Sequence, residues 1–523
     1  MDILFLHVPK FSNYYKPIDK FSFINLPPVG VLGLADYLRQ NHYDSRMIHL
    51  GVERHKHGAI DLDRIIAEER PAIIGLSLHW HFQSYDVIEV ARKIKHSHPE
   101  IAVLLGGFTA SYFAEEILRS FDCVDFIIRG DAEVPVAELV AQHRSGRDYP
   151  RVPNLAFRRD GAPTLNPISY VADAKMLDSI CFTDFTLMKD WPVFVESFSR
   201  YLSLDGLSPA TQKAIFGWKK VYQVLLGRGC NGNCSYCGGS REAQQIINNR
   251  STVCMRSVDS VLASLQDLQR FGFDATCLAL DPLPREKAEE FYIALFEGMR
   301  RLGISLSCEV ERYSLPSREF LRRFRELLPG DSFVTLSPNS HSEEIRRKNG
   351  LYRYSNQELE DCLRVMDEEG VSCALFFTCG LPFENRDALK GMAQYQQELR
   401  KRFKRVQCKT SMIEIEPGSP MSRESGAYGV EPQRTTFEDY RRYHSQPFQN
   451  HFLEMGYERS GCPGQAETAH FFCSNFCSHF RTGRVSPLLT RTACQAMSVM
   501  WKIGAFRLID KIFSTGEKNP SFD

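Results

Sequence analysis

The chain has 523 residues, 43% of them hydrophobic and 24% charged, a composition typical of a globular protein with roughly two to four domains. Lys plus Arg and Asp plus Glu both number 64, and the sequence pI is about 7.2. Because this balance gives no broad basic field, it argues against nucleic acid and anionic membranes as partners.

The first residues, MDILFL, place no basic segment ahead of a short apolar run, so they predict a first strand rather than a signal peptide. No apolar stretch is long enough to span a bilayer, and a cytoplasmic location is expected. Without an export signal, the 16 cysteines indicate thiols, metal ligands or redox centres rather than disulfides.

Residues 1–150 alternate short apolar runs with amphipathic stretches. This alternation predicts a parallel, doubly wound sheet, and ligands of such sheets lie beyond the carboxyl ends of the strands. The predicted strands are residues 3–8, 45–50, 72–78, 102–105 and 125–128, and the predicted helices are residues 30–40, 62–69, 85–96 and 114–120.

Residues 151–215 are predicted to form a connector, since Pro153, Pro163 and Pro167 fit an irregular segment. Within this connector, the sequence Arg-Asp-Gly at residues 159–161 favours a hairpin turn between two short strands over residues 157–164. The connector joins the first alternating series to a second one.

Residues 216–430 again alternate strands and helices, in roughly six βα units, which are too few for a closed eight-unit barrel. We therefore predict a partial (β/α)6 barrel, followed by a mainly helical, cysteine-containing region over residues 431–523. The predicted strands are residues 222–226, 275–280, 305–309, 333–337, 372–378 and 405–413, and the helices are residues 258–271, 286–301, 320–327, 356–369 and 387–403.

A cysteine loop follows the first strand of this second series, where residues 226–239 read LGRGCNGNCSYCGG. Cys230, Cys234 and Cys237 have CxxxCxxC spacing, and thiolates are soft ligands suited to iron–sulfur centres. Three protein ligands leave one iron open to a small molecule, whereas a closed zinc site requires four. A zinc site and unligated thiols remain the alternatives at this point.

The triad with Tyr236 before its last cysteine resembles the signature of the radical S-adenosylmethionine (SAM) superfamily. This resemblance implies a [4Fe–4S] cluster whose open iron binds SAM, which one electron then cleaves to a 5′-deoxyadenosyl radical. Leu-Ser-Pro-Asn-Ser at residues 336–340 departs from the commoner Gly-x-Glu-Ser form of the family. The SAM-binding residues that the resemblance implies are Tyr236, Asp281, Glu309, Glu311, Ser337 and Pro417.

A doubly wound sheet ahead of such a core resembles the cobalamin-binding subgroup, on residues 25–37 (NLPPVGVLGLADY), 75–80 (GLSLHW), 105–109 (LGGFT) and 129–133 (RGDAE). The Asp-x-His-x-x-Gly motif of cobalamin mutases is absent, so no histidine from that loop would ligate cobalt. The alternative is a sheet that binds nothing and only supports the barrel. The cobalamin-binding residues implied are Ser77, His79, Gly106, Gly107, Gly130, Asp131 and Glu133.

The C-terminal region contains three cysteines, Cys462, Cys473 and Cys477, that could hold a second metal. On a helix, Cys473 and Cys477 would share one face. The competing interpretation is that these cysteines pack as small hydrophobic residues, since free cysteine is among the most buried residue types.

The resemblance implies a cobalamin-dependent radical SAM methyltransferase that moves methyl from methylcobalamin to an unactivated carbon, or a phosphinate phosphorus, of a small metabolite. It also implies an electron donor such as flavodoxin or ferredoxin. Two alternatives stay open: a radical cyclisation or rearrangement without methyl transfer, and a non-catalytic iron–sulfur protein. The sequence assigns no catalytic side chain.

Overall fold

The computed structural model describes residues 1–10, 29–197, 219–280, 285–445 and 454–475 of the chain. Its framework is two parallel β-sheets, one in each half of the chain, with helices between successive strands. Within the described residues, no helix combines the length and apolar character that crossing a membrane requires.

The N-terminal sheet has seven strands in the order β2-β1-β3-β4-β5-β6-β7. The first five strands are parallel, as predicted, and the hairpin of the connector adds β6 and β7 as an antiparallel extension. Buried apolar runs on β1 and β3 are typical of parallel strands that are covered on both faces. The strands are β1 Ile3–His7, β2 Ser45–His49, β3 Ile73–Ser77, β4 Ala102–Gly106, β5 Phe126–Ile128, β6 Leu155–Arg159 and β7 Ala162–Leu165.

Helices cover both faces of this sheet, and the predicted bounds of residues 62–69 and 114–120 are those observed. The helix Leu50–His57 was missed, because its sequence LGVERHKH lacks a clear apolar period. The helices are α1 Val29–Gln40, α2 Leu50–His57, α3 Leu62–Glu69, α4 Ser84–Ser97, α5 Phe108–Tyr112, α6 Ala114–Ser120, α7 Glu133–Ser145, α8 Ala174–Ser179 and α9 Trp191–Ser197.

The second sheet has six parallel strands in the order β15-β14-β13-β12-β11-β8. Each strand pairs with the next in chain order, which is the arrangement of a (β/α) barrel that stays open between its first and last strands. The predicted partial barrel of six units is therefore confirmed. These strands are β8 Val221–Gln223, β11 Ala275–Leu278, β12 Ser307–Arg312, β13 Phe333–Asn339, β14 Ser372–Cys379 and β15 Val406–Met412.

Local signals fix the helices of this half, as the helix over residues 356–369 illustrates. Ser355 and Glu358 form a capping box at its start, and Gly370 ends it with φ of 74°. The helices are α10 Arg241–Asn248, α11 Val258–Arg270, α12 Arg285–Arg301, α13 Arg318–Leu327, α14 Glu343–Lys348, α15 Asn356–Glu369, α16 Arg386–Arg402, α17 Pro420–Arg423, α18 Phe437–Ser445 and α19 Gln465–Asn475.

Two short antiparallel pairs complete the described structure. The first joins β9 Gly227–Arg228 to β10 Cys254–Met255 beside the cysteine loop. The second joins β16 Val430–Pro432 to β17 Tyr457–Arg459, so the C-terminal region contains a small sheet besides its predicted helices.

One apolar core runs through both halves of the molecule. Ile3 and Phe5 on one face of the N-terminal sheet belong to the same buried cluster as Tyr222 and the inner helices of the second sheet. The connector residues Phe185 and Phe194 belong to this cluster too, and Phe185 packs edge-on against Tyr222 with ring centroids 5.0 Å apart. The two sheets are therefore held in a fixed relation by shared packing.

Candidate cofactor-binding site

The cysteine loop lies between β9 and α10, and its glycines bring the backbone close to the three sulfurs. A Cβ on Gly232 would lie 3.5 Å from Cys230 Sγ and 3.8 Å from Cys234 Sγ. A Cβ on Gly239 would lie 3.7 Å from Cys237 Sγ. The amide of Gly232 also donates to Cys230 Sγ at 3.3 Å, so the loop wraps around its own thiols.

The three thiols are free and half-buried. Burial raises the pKa of each, to about 12 for Cys234, so a metal has to displace the thiol protons when it binds. Among the described residues, the metal-binding atoms of His81, Glu414 and His444 all lie within 4.8 Å of one another, and the three cysteines are not part of that group. Three thiolates suit an iron–sulfur cluster with one open iron better than a closed zinc site, which requires four ligands.

Ser235 anchors the middle of the loop to the rest of the second domain. Its amide donates to Asn349 O at 2.9 Å and its hydroxyl to Asn349 Oδ1 at 2.6 Å. Met421 in turn donates its amide to Ser235 O at 2.9 Å. The loop is therefore held from two sides through a side chain that is fully buried.

Gly350 packs closely against the cysteine loop, which makes it a suitable position for testing that contact by substitution. Its φ is +65°, and a Cβ there would lie 2.3 Å from Asn233 O in the cysteine loop. Gly303 has nearly the same φ of +66° but nothing within 4 Å of its Cβ position. We expect Gly303→Ala to lower the thermal midpoint by about 2 °C, through strain alone, and Gly350→Ala to lower it by at least about 5 °C.

Calorimetry and iron analysis of the reconstituted proteins measure the two outcomes. Gly350→Ala should also lose bound iron, while Gly303→Ala should retain it. Equal thermal midpoints and equal iron content in the two variants would contradict this expectation, and would show that the cysteine loop accommodates a side chain at residue 350.

Glu416 follows β15 and contacts the far end of the loop. Its Oε2 accepts the amide of Gly238 at 2.6 Å, and burial raises its pKa. Gly238 cannot carry a side chain here, because its Cβ would lie 2.8 Å from Pro417 O. Pro417, predicted to bind SAM, thus lies directly against the loop, whereas Glu416 was not singled out from the sequence.

Tyr236 turns from the loop toward the carboxyl end of β13. Its hydroxyl donates to Asn339 Oδ1 at 3.2 Å, and Thr378 Oγ1 donates to the same oxygen at 2.8 Å. Asn339 has φ of +61°, a conformation that asparagine tolerates better than most residues. This departure from the family form therefore places an amide where it binds the tyrosine beside Cys237.

The predicted SAM-binding carboxylates lie on one face of the second sheet, since Glu309 and Glu311 alternate along β12. Glu309 accepts the Thr335 hydroxyl at 2.9 Å, and Glu311 accepts the Ser337 hydroxyl at 3.3 Å. Burial raises the pKa of Cys230, and the charge of Glu311 adds to this increase. Asp281 lies outside the described residues.

Four of the predicted cobalamin-binding residues meet at the carboxyl edge of the N-terminal sheet. Ser77 pairs with Gly106, and a Cβ on Gly107 would lie 2.8 Å from the backbone of His79. Burial lowers the pKa of His79 to about 4, so its imidazole is neutral. The indole of Trp80 beside it is 40% exposed.

The carboxyl edge of β3 and β4 is uncrowded at Gly106 and carries an exposed aromatic side chain, Trp80. A Cβ on Gly106 would meet nothing closer than a carbonyl oxygen 3.9 Å away, so the space above it is open. Exposed aromatic surface on Trp80, whose ring centroid is 4.7 Å from that of His79, offers apolar contact. These residues fit a macrocycle such as a corrin.

The other three predicted cobalamin-binding residues contact the second domain instead. A Cβ on Gly130 would lie 3.1 Å from Asn248 Cα in α10. Asp131 accepts from Arg228 Nη1 at 2.9 Å, and Glu133 accepts from Arg228 Nη2 at 2.6 Å. Burial alone would lower the pKa of Arg228, but the two carboxylates raise it well above its usual value.

A buried polar cluster joins the carboxyl ends of both sheets. Lys10 Nζ lies 3.1 Å from His444 Nδ1, and His444 Nε2 lies 3.1 Å from His81 Nδ1. His81 Nε2 lies 3.9 Å from Glu414 Oε2, whose other oxygen lies 2.9 Å from Arg434 Nη1. Burial lowers the pKa of Lys10 to about 8 and raises that of Glu414 to about 7. This cluster was not predicted from the sequence, because its members are far apart in the chain.

The predicted second metal site is described only in part. Cys462 is a free, half-buried cysteine next to β17. Cys473 belongs to the helix Gln465–Asn475, and Cys477 lies outside the described residues. The ligand set therefore stays a prediction.

Two family models match the chain, one for each sheet. The B12 binding domain matches residues 24–140, and the Radical SAM superfamily matches residues 224–395. The chain is also similar to an uncharacterized methyltransferase, PH0819, of Pyrococcus horikoshii, with 26% identity over 374 residues, which cover 71% of this chain and 73% of that protein.

A second relative is the anaerobic magnesium-protoporphyrin IX monomethyl ester cyclase of a Synechocystis species, 24% identical over 217 residues. That match covers 41% of this chain and spans only 38% of the cyclase. Among solved structures, the radical SAM methyltransferase TsrM of Kitasatospora setae, with cobalamin and a [4Fe–4S] cluster bound, superposes with a TM-score of 0.61. At 15% identity, with 90% of this chain and 88% of TsrM covered, that likeness establishes the shared fold.

The two family models match in the order in which the two parallel sheets follow each other, and the CxxxCxxC loop lies at the start of the second match. The chain therefore contains a B12-binding domain followed by a radical SAM domain.

Proposed function

We propose that this chain is a cobalamin-dependent methyltransferase that acts on a small molecule, with a [4Fe–4S] cluster on Cys230, Cys234 and Cys237. The observation that carries the proposal is the meeting of two ligand-binding edges. The carboxyl edge of the N-terminal sheet touches the cysteine loop through Arg228, and His81 lies beside Glu414 at the end of β15. A substrate between these edges is within reach of both cofactors.

The chain's own residues supply binding and orientation. Three thiolates hold the cluster, and the open position takes SAM, near Tyr236 and Glu311. When bound, the cluster supplies the electron that cleaves SAM to methionine and a 5′-deoxyadenosyl radical, and cobalamin supplies the methyl group. Glu309, Ser337, Pro417 and Asp281 complete the SAM-binding set of this proposal.

On the cobalamin side, we assign the corrin contact to Ser77, His79, Gly106 and Gly107, which share the carboxyl edge of β3 and β4. Gly130, Asp131 and Glu133 are left out of this contact, since their neighbours are Arg228 and α10. The domain limits that accompany the proposal are residues 1–150, 151–215, 216–430 and 431–523.

A small organic substrate is supported by a relative of the same fold, because TsrM of Kitasatospora setae has been solved with tryptophan as its substrate. We propose an unactivated carbon or a phosphinate phosphorus of a small metabolite as the methyl acceptor. The radical reaction also needs one electron from outside the chain, for which a flavodoxin or ferredoxin is the proposed donor. We propose no nucleic-acid partner, because basic and acidic residues both number 64.

A second candidate function is radical cyclisation without methyl transfer. The similarity to the magnesium-protoporphyrin cyclase favours it over other rearrangements. The two candidates share the cluster, SAM and cobalamin, so they differ only in the fate of the methyl group.

The test uses anaerobically reconstituted protein with a chemical reductant and SAM that is isotopically labelled in its methyl group. We expect 5′-deoxyadenosine to form, and the label to be recovered with cobalamin and then with a product one methylene unit heavier than the substrate. Formation of 5′-deoxyadenosine with all label left in SAM and methionine would favour the cyclase. Absence of 5′-deoxyadenosine from protein with a full cluster would contradict any radical SAM activity.

A further inference from the structure

Four charged side chains join the N-terminal domain to the start of the cysteine loop and to the end of the helix that follows the loop. Arg228 is the last residue of β9, two positions before Cys230, and Arg250 follows α10, the helix that comes directly after the loop. Their partners, Asp131 and Glu133, follow β5 at the carboxyl edge of the other sheet. We call these four residues the interdomain clamp.

The contacts of the clamp are fork-like and saturate the carboxylates. Arg228 donates through one terminal nitrogen to Asp131 at 2.9 Å and through the other to Glu133 at 2.6 Å. Arg250 donates to the second oxygen of Asp131, which also accepts the amide of Ala172 at 2.9 Å. An arginine with both nitrogens engaged fixes an angle as well as a distance, which a lysine cannot do.

These ion pairs are buried, so losing one partner destabilises the protein more than it would in a surface pair. Asp131 is 6% exposed and Glu133 is 1% exposed, while the side chain of Arg250 is 4% exposed. Two cations face two anions, so the group carries no net charge. Removing one member leaves an uncompensated buried charge, which is far more costly than losing an exposed pair.

The backbone of the N-terminal domain also packs closely against the second domain beside the interdomain clamp. Gly130 has φ of +73°, and its missing side chain lets Asn248 of α10 approach to within 3.1 Å of the Cβ position. On the other side of the loop, Gly418 similarly admits Tyr112 of α5, at 3.1 Å from its Cβ position. The N-terminal domain therefore contacts two segments that flank the cysteine loop, at Asn248 of α10 and at Gly418 beside Pro417.

From this arrangement we propose that the interdomain clamp is a positioning device, which sets the distance and angle between the cluster and the cobalamin face. The proposal rests on the proposed function, because it takes both cofactors to be present. It reassigns Asp131 and Glu133 from ligand contact to positioning. The residues act through the loop, and none of them needs to touch a cofactor.

The test compares Arg228→Gln and Arg228→Lys with the wild-type holoenzyme in two measurements. Hydrogen exchange reports local opening, and we expect the amides of residues 129–134 and 228–239 to exchange at least about tenfold faster in Arg228→Gln. Pulsed electron paramagnetic resonance between the reduced cluster and cob(II)alamin reports their separation. We expect one narrow distance in the wild type and a broadened distribution in Arg228→Gln, with Arg228→Lys between the two.

A double variant separates the specific pairing from general damage. In Arg228→Gln/Glu133→Gln the unpaired carboxylate is removed, so we expect exchange closer to the wild type than in Arg228→Gln alone. Two controls accompany it. Arg144→Gln breaks an ion pair with Asp2 whose arginine side chain is 51% exposed, and Leu321→Ala opens the core beneath α13.

The outcomes are distinct. Unchanged exchange and an unchanged distance in Arg228→Gln would overturn the inference, and so would faster exchange spread over both domains, as expected for Leu321→Ala. Wild-type protein that takes up iron but no cobalamin would instead overturn the proposed function, while the exchange comparison would still decide whether the clamp holds the loop.

Discussion

Replacing any one of Cys230, Cys234 and Cys237 by alanine is expected to abolish the cluster and the chemistry that depends on it. A cube held by three thiolates loses its protein attachment stepwise, and the raised pKa of the remaining thiols makes re-ligation by two cysteines weak. We expect iron to fall from about four atoms per chain to below one. Formation of 5′-deoxyadenosine should fall at least about a hundredfold, or about 2.7 kcal/mol in barrier.

Iron analysis, visible absorption and 5′-deoxyadenosine assays measure these losses. The matched control is Cys181→Ala, which changes a half-buried free cysteine whose contacts are Thr183 and Asp267 rather than the loop. The control should keep both iron and turnover. A single triad variant with full iron and full activity would contradict the assignment of the cluster to this loop.

Adding a side chain at Gly106 is expected to remove cobalamin without disturbing the cluster. Because the Cβ position there has no neighbour closer than 3.9 Å, Gly106→Leu should fold, and its isobutyl group should occupy the space proposed for the corrin. We expect cobalamin content after reconstitution to fall at least about tenfold, equivalent to about 1.4 kcal/mol in binding. Iron content should be unchanged.

The choice of Gly106 over Gly107 is what makes this experiment informative. A side chain at Gly107 would damage the fold itself, because the φ there is +107° and the backbone of His79 lies 2.8 Å from the Cβ position. Ala162→Leu, which enlarges an exposed residue on β7, is the control for a larger side chain on the same sheet. Equal cobalamin in Gly106→Leu and the wild type would place the corrin elsewhere.

The elements of both sheets were predictable because their signals are local. Buried apolar runs and helical periods recur within a few residues, so the six strands of the second sheet and the five parallel strands of the first were found in order. The three cysteines were equally accessible, since their spacing lies within eight residues of one loop. The strands and helices that were predicted correctly are those whose signal lies within a short stretch of sequence, and the assignment of the cluster to the three cysteines stays a prediction.

The contacts between the two domains were not predictable in this way. Arg228 meets Glu133 across 95 positions, and His81 meets His444 across 363. Nothing in the segment RGDAE distinguishes a carboxylate that faces a ligand from one that meets an arginine of another domain. In the folded chain, four of the seven predicted cobalamin residues lie at the carboxyl edge of β3 and β4, and the other three contact the second domain.

The continuous apolar core that links Phe5 to Tyr222 through Phe185 also limits how reactants can enter. Swinging the two halves apart would expose that core to water, at about 25 cal/mol for every Å² uncovered. We therefore expect the two halves to stay together while substrate enters and product leaves.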